Sequence, residues 1–401
     1  MEQFPVVDGC LWVGGLPLPR LAQQVGQTPF YAYDRRLIAE RVAALRRLLP
    51  HAVRLHYAVK ANPHCDVIRH LDGLVDGLDI ASGGELARVL EIGANPETVS
   101  FAGPGKRPVE LAAALAAGVT INLESEGELA TVARLAADSG RVAKVAVRVN
   151  PDFELKGAGM RMGGGPKPFG VDAEAVPSLL ARVTALGLAF QGFHIYAGSQ
   201  NLNPEAIVAA QSQSVELALR LASHAPYPPR HINIGGGLGI PYFPGEKPLD
   251  LAPVAANLDL LQERLSQALP GAYLVLELGR YLVGEAGLYV TEVVDRKVSR
   301  GQVFLVVDGG LHHHLAASGN FGQVLRRNYP VAVGNRMGQT PLEMVSVVGP
   351  SCTPLDLLAH RVVLPRAGVG DFIVVYQSGA YGLTASPQGF LSHPAAGEIV
   401  V

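Results

Sequence analysis

The stretch GLDIASGGELARVLEIGA, residues 77–94, holds one structural unit in a single line. Its first six residues form an apolar run that closes on a serine, the signature of a buried strand. The remainder is rich in Ala, Leu, Glu and Arg at helical spacing. Similar apolar runs, each closed by polar or glycine residues, stand on both sides of it. They are VRLHYAVK (53–60), VSFAGPGK (99–106), VTINLES (119–125) and KVAVRVN (144–150), followed by AFQGFHIYAGS (189–199), HINIGGG (231–237) and YLVLELGR (273–280). Helical stretches separate most of them. One, EGELATVARLAADSG, ends on the glycine that commonly closes a helix. This alternation predicts a (β/α)8 barrel over residues 36–280, whose reactive groups sit where the strands end.

The expected strand ends carry chemistry. They place Lys60, Ser82, Lys106, Glu124, Asn150, Ser199, Gly235 to Gly237, and Glu277 with Arg280 on one face. Lys60 closes an apolar run and is followed at once by Ala-Asn-Pro, which leaves two readings: a solvated cation at a strand terminus, or a nucleophile at the mouth of a pocket. The long connection over residues 151–188 contains GAGMRMGGGPKPFG, either a mobile loop over that face or a surface insertion.

Beyond residue 280 the pattern changes. LYVTEVVDRK, QVFLVVDGG, EMVSVVGPSC, HRVVLPR and GDFIVVYQSGAYG read as short strands separated by Gly, Pro and Asp. The opening segment holds its own strand candidate at Phe30 to Tyr33. Residues 1–35 and 281–401 are therefore expected to form one all-β domain, completed by the N-terminal segment.

Composition excludes several function classes. The 401 residues are 48% hydrophobic and 17% charged, enough to bury a large core. Net charge is −2 without a basic run, which argues against nucleic acid or an anionic membrane as partner. The opening MEQFPVVDGC lacks the pattern of a secretion signal and no apolar run could span a bilayer, so a cytoplasmic protein is expected. Cys10, Cys65 and Cys352 lie far apart without CxxC spacing and read as free thiols. Consecutive histidines, His312 to His314, point in different directions, so no metal site is expected there.

The chemistry converges on one cofactor. NIGGGLG, residues 233–239, ends a strand in three glycines, Gly235, Gly236 and Gly237, whose amides can approach a phosphate without interference from Cβ. Arg280 adds a fork of donors suited to the same group. A lysine, a phosphate cradle and the strand-end carboxylate Glu277 match what pyridoxal 5′-phosphate requires: an imine partner, a phosphate site and a partner for the pyridine nitrogen.

Six motifs in order, YAVKAN, GSQ, IGGGLG, ELGRYLV, GPSCTPLD and SGAYG, make the chain similar over nearly its whole length to the pyridoxal-phosphate amino-acid decarboxylases with an alanine-racemase-like barrel. That family includes the diaminopimelate and ornithine decarboxylases. DGGLHHHLAASGNFGQVLRRNYP, residues 308–330, most resembles the branch associated with exosortase and exopolysaccharide systems. The resemblance implies that Lys60 forms the imine, that Glu277 pairs with the pyridine nitrogen, and that Gly237, Arg280, Ser199 and Tyr381 hold the phosphate. Gly235, Gly236 and Gly279 belong to the same cofactor-binding motifs. It further implies a homodimer with shared sites, in which Cys352 reaches in from a partner subunit to protonate the α-carbon. Asp79 and Arg148 match supporting positions near the cofactor, or serve as a core-edge hydrogen bond or ion pair.

Two departures bear on mechanism and substrate. Relatives read His-x-Gly-Ser, the histidine stacking on the cofactor ring, where this chain reads Tyr196-Ala-Gly-Ser. Tyr196 can stack but cannot carry a proton near neutral pH. His194, on the same strand face, either supplies that function or is an inward-facing core histidine. Relatives acting on diamino acids place Asp or Glu after the cysteine to bind the distal amine, whereas this chain has Thr353. The expected activity is decarboxylation of an L-amino acid or a derivative, possible substrates running from meso-diaminopimelate, lysine and ornithine to an amino acid tethered to a carrier. A racemase of the same fold is the weaker reading because racemases place an arginine at the Glu277 position. A non-catalytic regulatory homologue is a third.

Overall fold

The structure is a computed structural model that describes residues 1–154, 160–321, 323 and 325–401. Residues 157–159 of the glycine-rich connection, and Gly322 and Val324 of the 308–330 stretch, lie outside the described residues. The chain divides into two units: Met1–Glu40 with Pro241–Lys247 and Leu282–Val401, and Arg41–Ile240 with Pro248–Tyr281.

The second unit is a closed parallel barrel. Its strands are Arg54–Ala58, Gly77–Ile80, Val99–Phe101, Thr120–Leu123, Lys144–Asn150, Ala189–Ile195, His231–Asn233 and Tyr273–Leu278. Each pairs in parallel with the next, and Leu278 opposite Tyr57 closes the eighth strand on the first. The βα unit predicted over residues 77–94 forms. Gly77–Ile80 is wholly buried, and Ser82 caps the helix Gly83–Glu91 by accepting from the backbone N–H of Glu85. Ser125 caps Glu126–Ser139 in the same way, and Gly140 ends that helix at φ +64°, in the left-handed region that favours glycine.

Most of the apolar runs extend past the strand they contain, and two of these overruns bear on the site. The third strand stops at Phe101, where Gly103 (φ +130°) and Pro104 turn the chain. Lys106 thus lies beyond the strand, its buried ammonium 2.8 Å from Glu128 and donating to the carbonyls of Gly103 and Asn122. It is a structural cation rather than part of a reactive face. The sixth strand stops at Ile195, and Gly198–Ser199 pairs antiparallel with Met160–Arg161.

The first unit is built on a mixed, mainly antiparallel sheet. Phe30–Tyr33 pairs antiparallel with Gly287–Ser299 and parallel with Gly397–Val400, so the N-terminal segment completes this sheet as expected. Phe4, Leu11, Leu21, Leu288, Val290 and Val374 share its core. Among the described residues no helix is long and apolar enough to cross a membrane.

Candidate active site

The first barrel strand ends at Ala58, and a single 3₁₀ turn, Val59–Ala61, swings Lys60 out of the strand. Its Nζ lies 3.5 Å from Oε1 of Glu277, which is buried on the neighbouring eighth strand. His194 Nε2 lies 3.0 Å from the other oxygen, Oε2. Burial alone would raise the Glu277 carboxyl, but the Lys60 ammonium, the His194 hydrogen bond and the charge of Arg148 outweigh it and hold the group well below the usual carboxylate range. Glu277 is therefore ionised. The sign follows: its stabilising contribution is complete above about pH 4.3, the ordinary glutamate value, and is lost only as pH falls through the depressed folded value. A second acid, Glu85, lies in the same field. Burial raises its carboxyl, against the lowering pull of the Ala81 N–H and of Lys60.

The glycine loop packs against the backbone of the same residue. Gly235 (φ +68°) and Gly237 (φ +77°) adopt the left-handed region. A Cβ on Gly235 would sit 2.8 Å from the Tyr196 ring, and one on Gly236 would sit 2.3 Å from the carbonyl oxygen of Glu277. Asn201 fixes the loop from the far side, donating its N–H to the Gly237 carbonyl and accepting from Gly239 N–H, both at 2.9 Å. Gly279 leaves room for Ala61, whose Cβ would be 2.8 Å from a side chain there, and Arg280 begins the turn Arg280–Val283. Gly236→Ala should accordingly cost about 1–3 kcal/mol by overpacking and displace Glu277. Thermal unfolding and a pyridoxal-phosphate titration check this against Gly105→Ala, where nothing lies within 4 Å. Wild-type cofactor affinity in Gly236→Ala would contradict the cradle.

Tyr196 and His194 separate. The Tyr196 ring lies 5.3 Å from Lys60 Nζ, whereas His194 turns to Glu277, its ring 6.3 Å from that of Tyr196 at 72°. Asp79 and Arg148 are committed to the barrel interior. Asp79 accepts from Ser100 Oγ at 2.5 Å and lies 3.3 Å from His56 Nδ1, and Arg148 donates to Glu124 at 2.9 Å. His56, Ser100 and Asn201 were not singled out from sequence. Counting back two residues from each strand end, the period of one strand face, would have found His56.

Cys352, Thr353 and Tyr381 belong to the other unit. Buried Asp356 shapes the GPSCTPLD loop, accepting from Leu311 N–H at 2.7 Å and Ser351 N–H at 2.9 Å. Gly310 and Gly349 allow this, since a Cβ on either would fall within 2.3 Å of that carboxylate. The loop leaves Cys352 exposed as a free thiol, and Thr353 Oγ1 accepts weakly from Leu355 N–H at 3.4 Å. Tyr381 sits at φ +53° in SGAYG. The three consecutive histidines take separate partners: His314 Nε2 meets Ser378 Oγ at 2.9 Å, His313 Nε2 meets the Pro394 carbonyl at 2.7 Å, and His312 stacks on His393. Among the described residues no group of three or more His, Cys, Asp or Glu could hold a metal ion.

The chain is similar in sequence and fold to known proteins. The family described as "Pyridoxal-dependent decarboxylase, pyridoxal binding domain" matches residues 35–284. The L-glutamyl-[BtrI acyl-carrier protein] decarboxylase of Niallia circulans is 38% identical over 93% of this chain and 89% of its own length. The diaminopimelate decarboxylase of Aquifex aeolicus is 33% identical over 98% of this chain and 91% of its own. The crystal structure of diaminopimelate decarboxylase from Helicobacter pylori complexed with L-lysine superposes with a TM-score of 0.84 at 27% identity, covering 96% of this chain and 94% of that one.

Proposed function

The chain belongs to the pyridoxal-dependent decarboxylases, and from that premise we propose that it removes the α-carboxyl group of an L-amino-acid unit presented on a carrier, with sites shared across a homodimer. The pair Lys60 and Glu277 carries the decarboxylase assignment: an amine beside an ionised, buried carboxylate. The residues present fit pyridoxal phosphate: the Lys60 amine stands beside buried Glu277, and Gly235 and Gly237 hold the adjacent strand-end loop in the left-handed region, where backbone amides can serve a phosphate. When bound, the cofactor supplies a ring that accepts the electron pair left on the α-carbon as carbon dioxide departs.

The residues divide the work. Lys60 binds the cofactor's aldehyde carbon through its amine. Glu277 holds a proton on the pyridine nitrogen, and a carboxylate there favours decarboxylation over the racemase reading, as do the decarboxylase relatives. Gly235 to Gly237, Ser199, Arg280 and Tyr381 would hold the phosphate, and Tyr196 would offer its ring face to the pyridine ring. Asp79 and Arg148 brace the barrel beneath, Arg148 adding positive charge near Glu277. Cys352 of the partner subunit delivers a proton to the α-carbon. The cofactor domain is taken as residues 36–280 and the β-domain as 1–35 with 281–401. The 308–330 stretch supports membership of the exosortase-associated branch, and a cytoplasmic location suits a carrier-borne substrate.

Thr353 and the carrier-specific relative support the substrate reading. A neutral hydroxyl gives no countercharge to a distal ammonium, and closing a pocket on that cation unpaired is costly. Carbon dioxide release across a panel of free and carrier-bound amino acids tests this. Carrier-bound substrate should lead, and Thr353→Glu should raise turnover of free L-lysine or L-ornithine. Free L-lysine or L-ornithine turned over as efficiently as any member of the panel would defeat the substrate reading.

A further inference from the structure

His194 has a role that neither ring stacking nor core filling describes. Its Nε2 lies 3.0 Å from Oε2 of Glu277, both side chains are buried, and the bond joins the sixth strand to the eighth across the barrel interior. Because Glu277 is ionised and acts only as an acceptor, Nε2 must be the protonated nitrogen and the histidine the donor. Its Nδ1 is buried and has no hydrogen-bond partner among the described residues, so the ring's polar role is spent on this one contact. The two carboxylate oxygens are thereby divided. Oε2 is tied to the barrel wall, and Oε1 remains on the Lys60 side, where the ammonium now stands 3.5 Å away.

We propose that His194 is a positioning residue that fixes the Glu277 carboxylate in one orientation, so that Oε1 is presented to the pyridine nitrogen of the cofactor. The proposal rests on the assignment of Glu277 to that nitrogen. A carboxylate held by one charge-assisted hydrogen bond cannot swing both oxygens toward Lys60, and a bond of this kind is worth more than a neutral one. The surroundings allow the test by side-chain exchange. Asn233 stands opposite His194 in the register of the seventh strand, so an amide at position 194 has a polar residue in the adjacent register position.

Two amides of different reach distinguish the nitrogens. His194→Gln places an N–H donor near the position of Nε2, and His194→Asn places one near that of Nδ1. His194→Gln should keep the absorption spectrum of the bound cofactor and a kcat within a few-fold of wild type. His194→Asn should shift the spectrum and lower kcat roughly 10- to 100-fold with KM little changed, the range expected for loss of a hydrogen bond to a charged group. In a Glu277→Ala background, the two His194 substitutions should become indistinguishable, because a residue acting only through Glu277 has nothing left to position. Equal damage by Gln and Asn, or effects that persist undiminished in Glu277→Ala, would overturn the proposal. If Glu277→Ala by itself leaves spectrum and kcat unchanged, the assignment of Glu277 fails instead. Thermal unfolding of the cofactor-free proteins separates either result from misfolding.

Discussion

Lys60→Ala should lower kcat on the order of 10³-fold or more, and Lys60→Arg should do the same. The second substitution decides between the two readings of the residue. If Lys60 were only a strand-end cation paired with Glu277 across 3.5 Å, arginine would preserve the charge and most of the activity. If its amine bonds to the cofactor, arginine fails, because a guanidinium is not deprotonated in proteins and cannot act as the nucleophile. The local backbone argues for the second outcome. The turn Val59–Ala61 lifts the side chain out of the strand and leaves it 38% exposed, while its partner carboxylate is only 5% exposed. Single-turnover and steady-state assays of both variants measure the effect, and substantial activity in Lys60→Arg would restore the solvated-cation reading.

Mixing Lys60→Ala with Cys352→Ala protein should restore activity from two impaired preparations. The shared-site proposal places Lys60 and the partner subunit's Cys352 in one site, so a mixed dimer has one site with both defects and one with neither. Random exchange makes about half the dimers mixed, and recovery should reach roughly a quarter of wild type by this symmetry counting. Two differently tagged chains verify the exchange. Tagged mixed dimers without recovered activity would put both residues in one chain's site. The exposure of Cys352 on a loop held by buried Asp356 is the local feature that makes such delivery feasible.

The barrel was legible because its strands are buried, β-branched and separated by capped helices. The capping serines Ser82 and Ser125 stand where the sequence changes period. The N-terminal strand was legible for a similar reason, as Phe30–Tyr33 is an aromatic, wholly buried run, and it lies inside its sheet with a strand paired on each edge. Strand ends were harder to read. VSFAGPGK and AFQGFHIYAGS both run past the last ladder hydrogen bond, because composition does not register the φ +130° turn at Gly103 or the switch of Gly198–Ser199 to an antiparallel partner. Of the site, Lys60, Glu277 and the glycines could be read from type and position alone. The division of labour between His194 and Tyr196 could not, since the sequence does not reveal that the strand stops at Ile195, which leaves His194 within the strand to meet Glu277 and Tyr196 beyond it, near Lys60. Asp356 was hidden for a related reason: its work is done on backbone amides from Leu311 and Ser351, which sequence spacing does not reveal.

Every role proposed for the site depends on the amine of Lys60 being the point of cofactor attachment, which borohydride reduction reads at that atom. Purified protein loaded with pyridoxal phosphate should be yellow, and reduction followed by peptide mapping should find the cofactor covalently fixed on the peptide that contains Lys60. Lys60→Ala should yield no such adduct. A reduced adduct on another lysine in the wild-type chain, or one that survives in Lys60→Ala, would contradict the account.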